Sequence, residues 1–265
     1  GSDRVSERLI FDPDQQPVVA QIWGTIPESF YKVAQDIKKR GFAGIDINMG
    51  CPERTVIRDG ACSGLIRTPE LAAEIIQATK EGSGGLPVSV KTRIGFEKES
   101  IDEWLSFLLK QDISTLTVHL RTVRELSKVP AHWELMPQVV RLRDSLAPHT
   151  FIVGNGDVTS LSEIKEKFEA YHCDGFMVGR GIFANPWMFN SQVDLADKTV
   201  EEKISLYLHH IDMFKKQWDG VHHFAQLKKF AKTYINNFPA ASDFREKLME
   251  TKTIDELQQT LESLR

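Results

Sequence analysis

Cysteine is scarce in this chain of 265 residues: Cys51, Cys62 and Cys173 are the three, and no two stand in a C-x-x-C spacing. An odd number without paired spacing signals neither a disulfide framework nor a zinc site, so no metal is expected and a reducing cytoplasm is the expected location. Long apolar runs are also missing. None approaches the ~18 residues of a membrane span, and the opening GSDRVSERLI has neither the basic nor the apolar region of a signal peptide. Secretion and membrane insertion are therefore not expected. Nor is there an excess of positive charge, because 33 Lys+Arg stand against 37 Asp+Glu for a net of −4. That argues against a protein that coats nucleic acid non-specifically and leaves room for a local basic face. There is no low-complexity tract and no repeat beyond a strand-and-helix period. No G-x-G-x-x-G follows a strand-like segment, so a resident nicotinamide-binding Rossmann unit is not indicated.

What is present is regular. Short apolar segments rich in Val and Ile recur at 17–24, 44–52, 87–95, 115–122, 151–157 and 174–181, the pattern of strands buried on both faces. Amphipathic segments such as 28–41, 69–82 and 160–172 lie between them. Strand, helix, strand, helix at this regularity means parallel βα units. The expected fold is α/β, a TIM (β/α)8-type barrel of which six units are visible, followed by a small C-terminal helical bundle. Eight strands close such a barrel, so the first two strands are expected to be missing from the front, where Gly1-Ser2 resembles a cloning scar. Strand signals stop after Asn185-Pro186-Trp187. Helical periodicity follows, with Leu227, Phe230, Ala231 and Tyr234 at i, i+3, i+4 and i+7. The expected division is a barrel domain at 1–190 and a helical domain at 191–265.

In a βα barrel the working residues lie just past the C-terminal ends of the strands. All six strands supply polar groups there: Gln21; Asn48 and Cys51; Lys91 and Arg93; His119 and Arg121; Asn155 and Asp157; and Gly179-Arg180. Asn155-Gly156-Asp157 and Gly179-Arg180 follow the last two strands. There this fold commonly holds a phosphate on backbone N–H groups and a helix N-terminus.

The motifs QIWG (21–24), DINMGCP (46–52), VKTRIG (90–95), TVHLRT (117–122), NGD (155–157) and GRGIFANPW (179–187), in this order and spacing, resemble the dihydrouridine synthase family. These are flavin enzymes that reduce uridine in transfer RNA. The resemblance covers residues 8 to 250 and lacks a counterpart to the family's first two strands. It implies FMN as cofactor, NADPH as reductant and tRNA as partner. The reaction adds a hydride at C6 and a proton at C5 of uracil. Cys51 is the implied proton donor, since a thiol near its unperturbed pKa of ~8.5 is mostly protonated at neutral pH. Cys62 and Cys173 read as small buried hydrophobes.

The same resemblance places Lys91 by the pyrimidine edge of the flavin, where its charge stabilises the anionic reduced form, and Gln21 at the carbonyl and imide edge. His119 fits the cofactor phosphate or the substrate side. Asn155, Gly156, Asp157, Gly179 and Arg180 would hold the phosphate. Asn48 would meet the uracil edge, and Arg93 and Arg121 would meet RNA phosphates at the barrel mouth. Residues 215–247 carry Lys215, Lys216, Lys228, Lys229, Lys232, Arg245 and Lys247 against Asp219, Asp243 and Glu246, a local net of +4. Lys228, Lys229 and Lys232 are the expected RNA contacts. Two other readings remain open at this stage: a flavin oxidoreductase acting on a small pyrimidine-like substrate, and a non-catalytic RNA-binding protein. Oligomeric state is not legible.

Overall fold

Six parallel strands lie in one sheet in strict sequence order in this computed structural model, which describes residues 9–218, 220–236 and 238–263. They are β1 (Val19–Ile22), β2 (Gly44–Met49), β3 (Val88–Arg93), β4 (Thr115–His119), β5 (Phe151–Asn155) and β6 (Gly175–Met177). Every strand-like segment of the sequence is a strand. An order without reversal is that of a singly wound sheet, as in a (β/α)8-type barrel, whereas doubly wound folds reverse at a switch point. Among the described residues, β1 pairs only with β2 and β6 only with β5.

The register sorts side chains onto two faces, because successive residues of a strand alternate. One face carries the rows Ile47, Val90, Leu116, Ile152 and Met49, Thr92, Val118, all of them fully buried. Helices cover it. Helix α1 (Pro27–Lys39) starts at a proline, carries Glu28 in its first turn and Lys38 and Lys39 in its last, in the sense the helix dipole favours. Its Ala34 and Ile37 pack with Ala20 and Ile45 of the sheet. Helix α2 (Pro69–Gly82) lies beside α1, and a Cβ on Gly82 would come within 2.2 Å of the Tyr31 carbonyl oxygen. Only glycine allows that approach. Helices α3 (Met136–Leu146) and α4 (Leu161–Tyr171) complete the alternation.

The opposite face of the sheet is polar. Its rows run Gln21, Asp46, Ser89; then Asn48, Lys91, Thr117; then Arg93, His119, Asn155.

The chain divides into two compact units, 1–158 with 162–179, and 159–161 with 180–265. The longer piece of the second runs from Arg180, and its short helix Gly181–Ala184 brings Phe183 against Phe230, with ring centroids 5.7 Å apart. Its core forms around Tyr207, Ile211, Leu227, Leu248 and Leu257, from α5 (Val200–Trp218), α6 (Ala241–Glu250), α7 (Ile254–Glu262) and two single turns, Ala225–Lys228 and Ala231–Tyr234. The periodic stretch around Leu227 is thus broken rather than continuous. The Leu227 carbonyl accepts the hydroxyl of buried Tyr207 at 2.8 Å as well as the Phe230 N–H. No helix among the described residues is long and apolar enough to cross a membrane.

Candidate active site

The polar face ends in a chain of hydrogen bonds that leads to Cys51. Ser89 Oγ donates to Asp46 Oδ1 at 2.6 Å, and Gln21 Nε2 donates to Asp46 Oδ2 at 2.7 Å. Gln21 Oε1 in turn accepts from Asn48 Nδ2 at 3.0 Å, and Asn48 Oδ1 accepts the backbone N–H groups of Gly50 and Cys51, each at 3.0 Å. Backbone N–H groups can only donate, so they fix which way the Asn48 amide points, and Asn48 fixes Gln21. Burial pushes the Asp46 carboxyl up, against the bonds from Ser89 and Gln21 and the charge of Lys91, which pull it down.

Cys51 is half-buried, on the turn just past β2. Its carbonyl accepts from Ser63 Oγ at 2.6 Å. Cys62 is buried, as expected of a small hydrophobe, but it adjoins Cys51. Burial pushes its thiol up to about 12, with the neighbouring Cys51 adding to the shift. Cys173 is buried as well.

Three cations gather on the same face. The Lys91 ammonium has no hydrogen-bond or ion-pair partner among the described residues, and burial followed by the charge of Arg93 lowers its pKa. Arg93 and Arg121 depart from the expectation that they meet RNA phosphates at the mouth, because both are buried and turn donors to the protein's own groups. Arg93 donates to the carbonyls of Gly50 (2.9 Å), Thr122 (2.9 Å) and Leu126 (3.0 Å). Arg121 donates to the Val129 carbonyl at 2.6 Å, to His119 Nε2 at 3.2 Å and to Asp157. Since guanidinium can only donate, Nε2 of His119 accepts and Nδ1 carries the proton. Burial, then Arg93, Lys91 and Arg121, hold His119 down to about 3, so the imidazole is neutral.

The N-G-D turn is built for its backbone. Gly156 has φ +133°, and a Cβ there would stand 2.6 Å from Ala131 Cβ and 3.4 Å from His119 Cδ2. Asp157 turns its carboxylate to Arg121 and to the Ala131 N–H at 2.9 Å. Its side chain orders the loop, which leaves the backbone N–H groups of the turn as the groups that could face a phosphate. Asn155 Nδ2 donates to the Met177 carbonyl at 2.8 Å, tying β5 to β6. Gly179 is exposed with open space around it. Arg180, also exposed, heads the second unit as the N-cap of Gly181–Ala184.

The family model for dihydrouridine synthase (Dus) matches residues 2–265. The chain belongs to the dihydrouridine synthase family. A probable tRNA-dihydrouridine synthase of Staphylococcus aureus (strain MRSA252) is 45% identical over 264 residues, covering 99% of this chain and 79% of that protein. A probable tRNA-dihydrouridine synthase 2 of Bacillus subtilis (strain 168) is 44% identical over 264 residues, covering 99% and 80%. Among solved structures, an old yellow enzyme homologue from Zymomonas mobilis matches with a TM-score of 0.43 and 18% identity over 66% of this chain and 54% of that one.

The residues of this site that the strand-end pattern did not single out are Asp46, Ser89, Ser63 and Cys62. Asp46 was open to detection, since it precedes Asn48 by two in a strand and so shares its face. Ser63 and Cys62 reach Cys51 through a loop, and no local periodicity signals that. In the second unit Lys228 is not a free surface cation. Its ammonium donates to the Met249 carbonyl at 2.9 Å and to that of Thr251, capping the end of α6, whereas Lys229 and Lys232 are exposed.

Proposed function

We propose that this chain is an FMN-dependent oxidoreductase that reduces the C5=C6 bond of uridines in tRNA to dihydrouridine, with NADPH as reductant. The observation that carries the reading is the ordered turn of Cys51 on the same polar strand ends as the unpartnered ammonium of Lys91. The residues present fit a flavin. Gly156 keeps the backbone bare beside His119, Lys91 offers a half-buried ammonium with no hydrogen bond or ion pair among the described residues, and Gln21 retains one amide hydrogen after bonding Asp46. When bound, the flavin supplies the hydride that reaches C6 of the uracil ring.

The chain's own residues do the rest. Cys51 Sγ gives its proton to C5, and Asn48 holds the turn from which it does so. One hydrogen of Asn48 Nδ2 remains for a uracil carbonyl. Lys91, backed by Arg93 and Arg121, makes the pocket favourable for negative charge. Neutral His119 offers Nδ1–H as a donor rather than a charge, and the N-G-D turn and Gly179 present backbone N–H groups to the cofactor phosphate. Exposed Lys229 and Lys232 contact RNA phosphates. A tRNA substrate and unpaired thiols suit a cytoplasm.

The test is a single turnover of the flavin-loaded, pre-reduced protein on tRNA lacking the modification, read by mass spectrometry of its nucleosides. Dihydrouridine in stoichiometric yield is expected. Its absence, with flavin bound and reduced, would sink the reading.

A further inference from the structure

Two cavities in the helical unit share a wall. Phe183, Phe230 and Asn236 line one of about 640 Å³ together with Lys229 and Lys232. The same two lysines line the other, of about 590 Å³, with Ser242, Arg245, Glu246 and Glu250. Both fall in the size range of small-ligand sites, roughly 300–1,000 Å³. The first is aromatic and the second charged, and the lysines stand on the ridge between them.

The aromatic cavity has two features that core packing does not explain. Phe183 is 50% exposed, although its ring lies 5.7 Å from that of Phe230. Asn236 donates both amide hydrogens, to the carbonyls of Lys232 (2.9 Å) and Thr233 (3.0 Å). Its orientation is thereby fixed, and its Oδ1 is left buried with no hydrogen-bond partner among the described residues. A buried acceptor of this kind calls for a donor. A ligand that satisfies the cavity therefore has a flat face to stack on phenylalanine and an N–H on its edge. On the ridge, the ammonium groups of Lys229 and Lys232 have no hydrogen bond or ion pair among the described residues, so the same ligand should carry negative charge beside its flat group.

We propose that this pair of cavities is a nucleotide subsite for an unstacked, single-stranded residue of the RNA substrate, separate from the uridine that is reduced. The base stacks on Phe183 and gives an N–H to Asn236 Oδ1, while its phosphate sits by Lys229 and Lys232. The proposal rests on the RNA-modifying reading above and adds to it a place where one further base is held by its face and edge. Such contacts suit RNA, whose loops present splayed bases to aromatic side chains.

The experiment uses the whole chain and two single-stranded RNA hexanucleotides, one with 2-aminopurine at its centre and one abasic there. Unmodified tRNA is titrated in parallel. A rise in 2-aminopurine fluorescence on binding is expected as the base leaves its neighbours, with affinity about tenfold or more above that for the abasic oligomer, the size stacking on one aromatic ring supplies. Phe183→Ala should abolish both the rise and the preference while leaving the salt dependence unchanged. Phe183→Leu, which keeps apolar packing without an aromatic face, should do the same. Asn236→Leu should reduce the preference. Lys229→Gln with Lys232→Gln should flatten the salt dependence for both oligomers alike. Equal affinity for the two oligomers, or a preference that survives both Phe183 variants, would overturn the subsite and leave tRNA binding standing. If neither oligomer nor tRNA binds, the RNA-modifying reading falls with it.

Discussion

Gln21 Nε2 donates to Asp46 Oδ2 at 2.7 Å, directly across the register of β1 and β2. A buried carboxylate is thus spent on setting the amide of a residue proposed to face the flavin. Asp46→Leu should leave Gln21 and Ser89 without an acceptor and destabilise the fold by about 1–3 kcal/mol. Asp46→Asn can accept from Gln21 and donate to Ser89 Oγ, so it should be close to neutral. Urea unfolding of the two variants separates these outcomes, and similar losses in both would show that the network does not depend on the acceptor.

Cys51→Ala should retain flavin and RNA binding yet lower single-turnover reduction of uridine by about 10²–10⁴-fold, because only the proton transfer is removed. Cys62→Ala should keep most of that rate despite its proximity, since its thiol is pushed up to about 12 by burial and is a poor proton donor at neutral pH. Equal loss in both variants would transfer the role from one thiol to the pair.

His119 sets a pH dependence of known sign. Its pKa is about 3 in the fold, held there by burial and by Arg93, Lys91 and Arg121, against ~6.5 in an unfolded chain. Below the unfolded value only the unfolded state takes up the proton. The contribution of His119 to stability is therefore complete above pH ~6.5 and is lost as pH falls from there towards 3. Unfolding free energies of the wild type and His119→Gln should diverge across that window, with the variant less acid-sensitive.

Lys228 and its neighbours should part company. Lys228→Met removes the ammonium that caps α6 and should cost about 1 kcal/mol of stability. Lys229→Glu with Lys232→Glu should leave stability near wild type, weaken tRNA binding and flatten its salt dependence by a little under one unit per contact. Thermal unfolding and a salt titration distinguish them.

Gly156→Ala places a Cβ 2.6 Å from Ala131 Cβ on backbone at φ +133°. A loss of about 1–3 kcal/mol is expected, with weaker flavin retention measured by ultrafiltration. Full retention would separate the N-G-D turn from the cofactor.

All six strands were legible because a strand buried on both faces is a local apolar pattern, and each expected segment contains one. Gln21, Asn48, Lys91 and His119 were legible for a related reason: strand ends follow from the strands, and alternation then places these side chains on one face. What local pattern cannot show is where a side chain's hydrogen bonds go. Arg93 and Arg121 read as contacts for RNA phosphates at the barrel mouth, because arginine at a strand end is usually open to solvent there. In the fold the donors of Arg93 meet the carbonyls of Thr122 and Leu126, 29 and 33 residues further along, and of Gly50, 43 residues earlier, while Arg121 meets the Val129 carbonyl and the Asp157 carboxylate. Lys228 carries the same lesson, since the carbonyls it caps belong to a helix that the turn at Lys229 and Phe230 brings within reach.

The three carbonyls on Arg93 have a mechanical consequence. Gly50 belongs to the turn that carries Cys51, and Thr122 and Leu126 belong to the loop after β4. One rigid guanidinium thus fastens two loops that are distant in sequence, and neither can open without leaving a buried charge short of an acceptor. Amides around Cys51 and around Thr122 should therefore exchange their hydrogens as a single cooperative unit, and grafting a foreign loop after β4 would disturb the thiol without touching it.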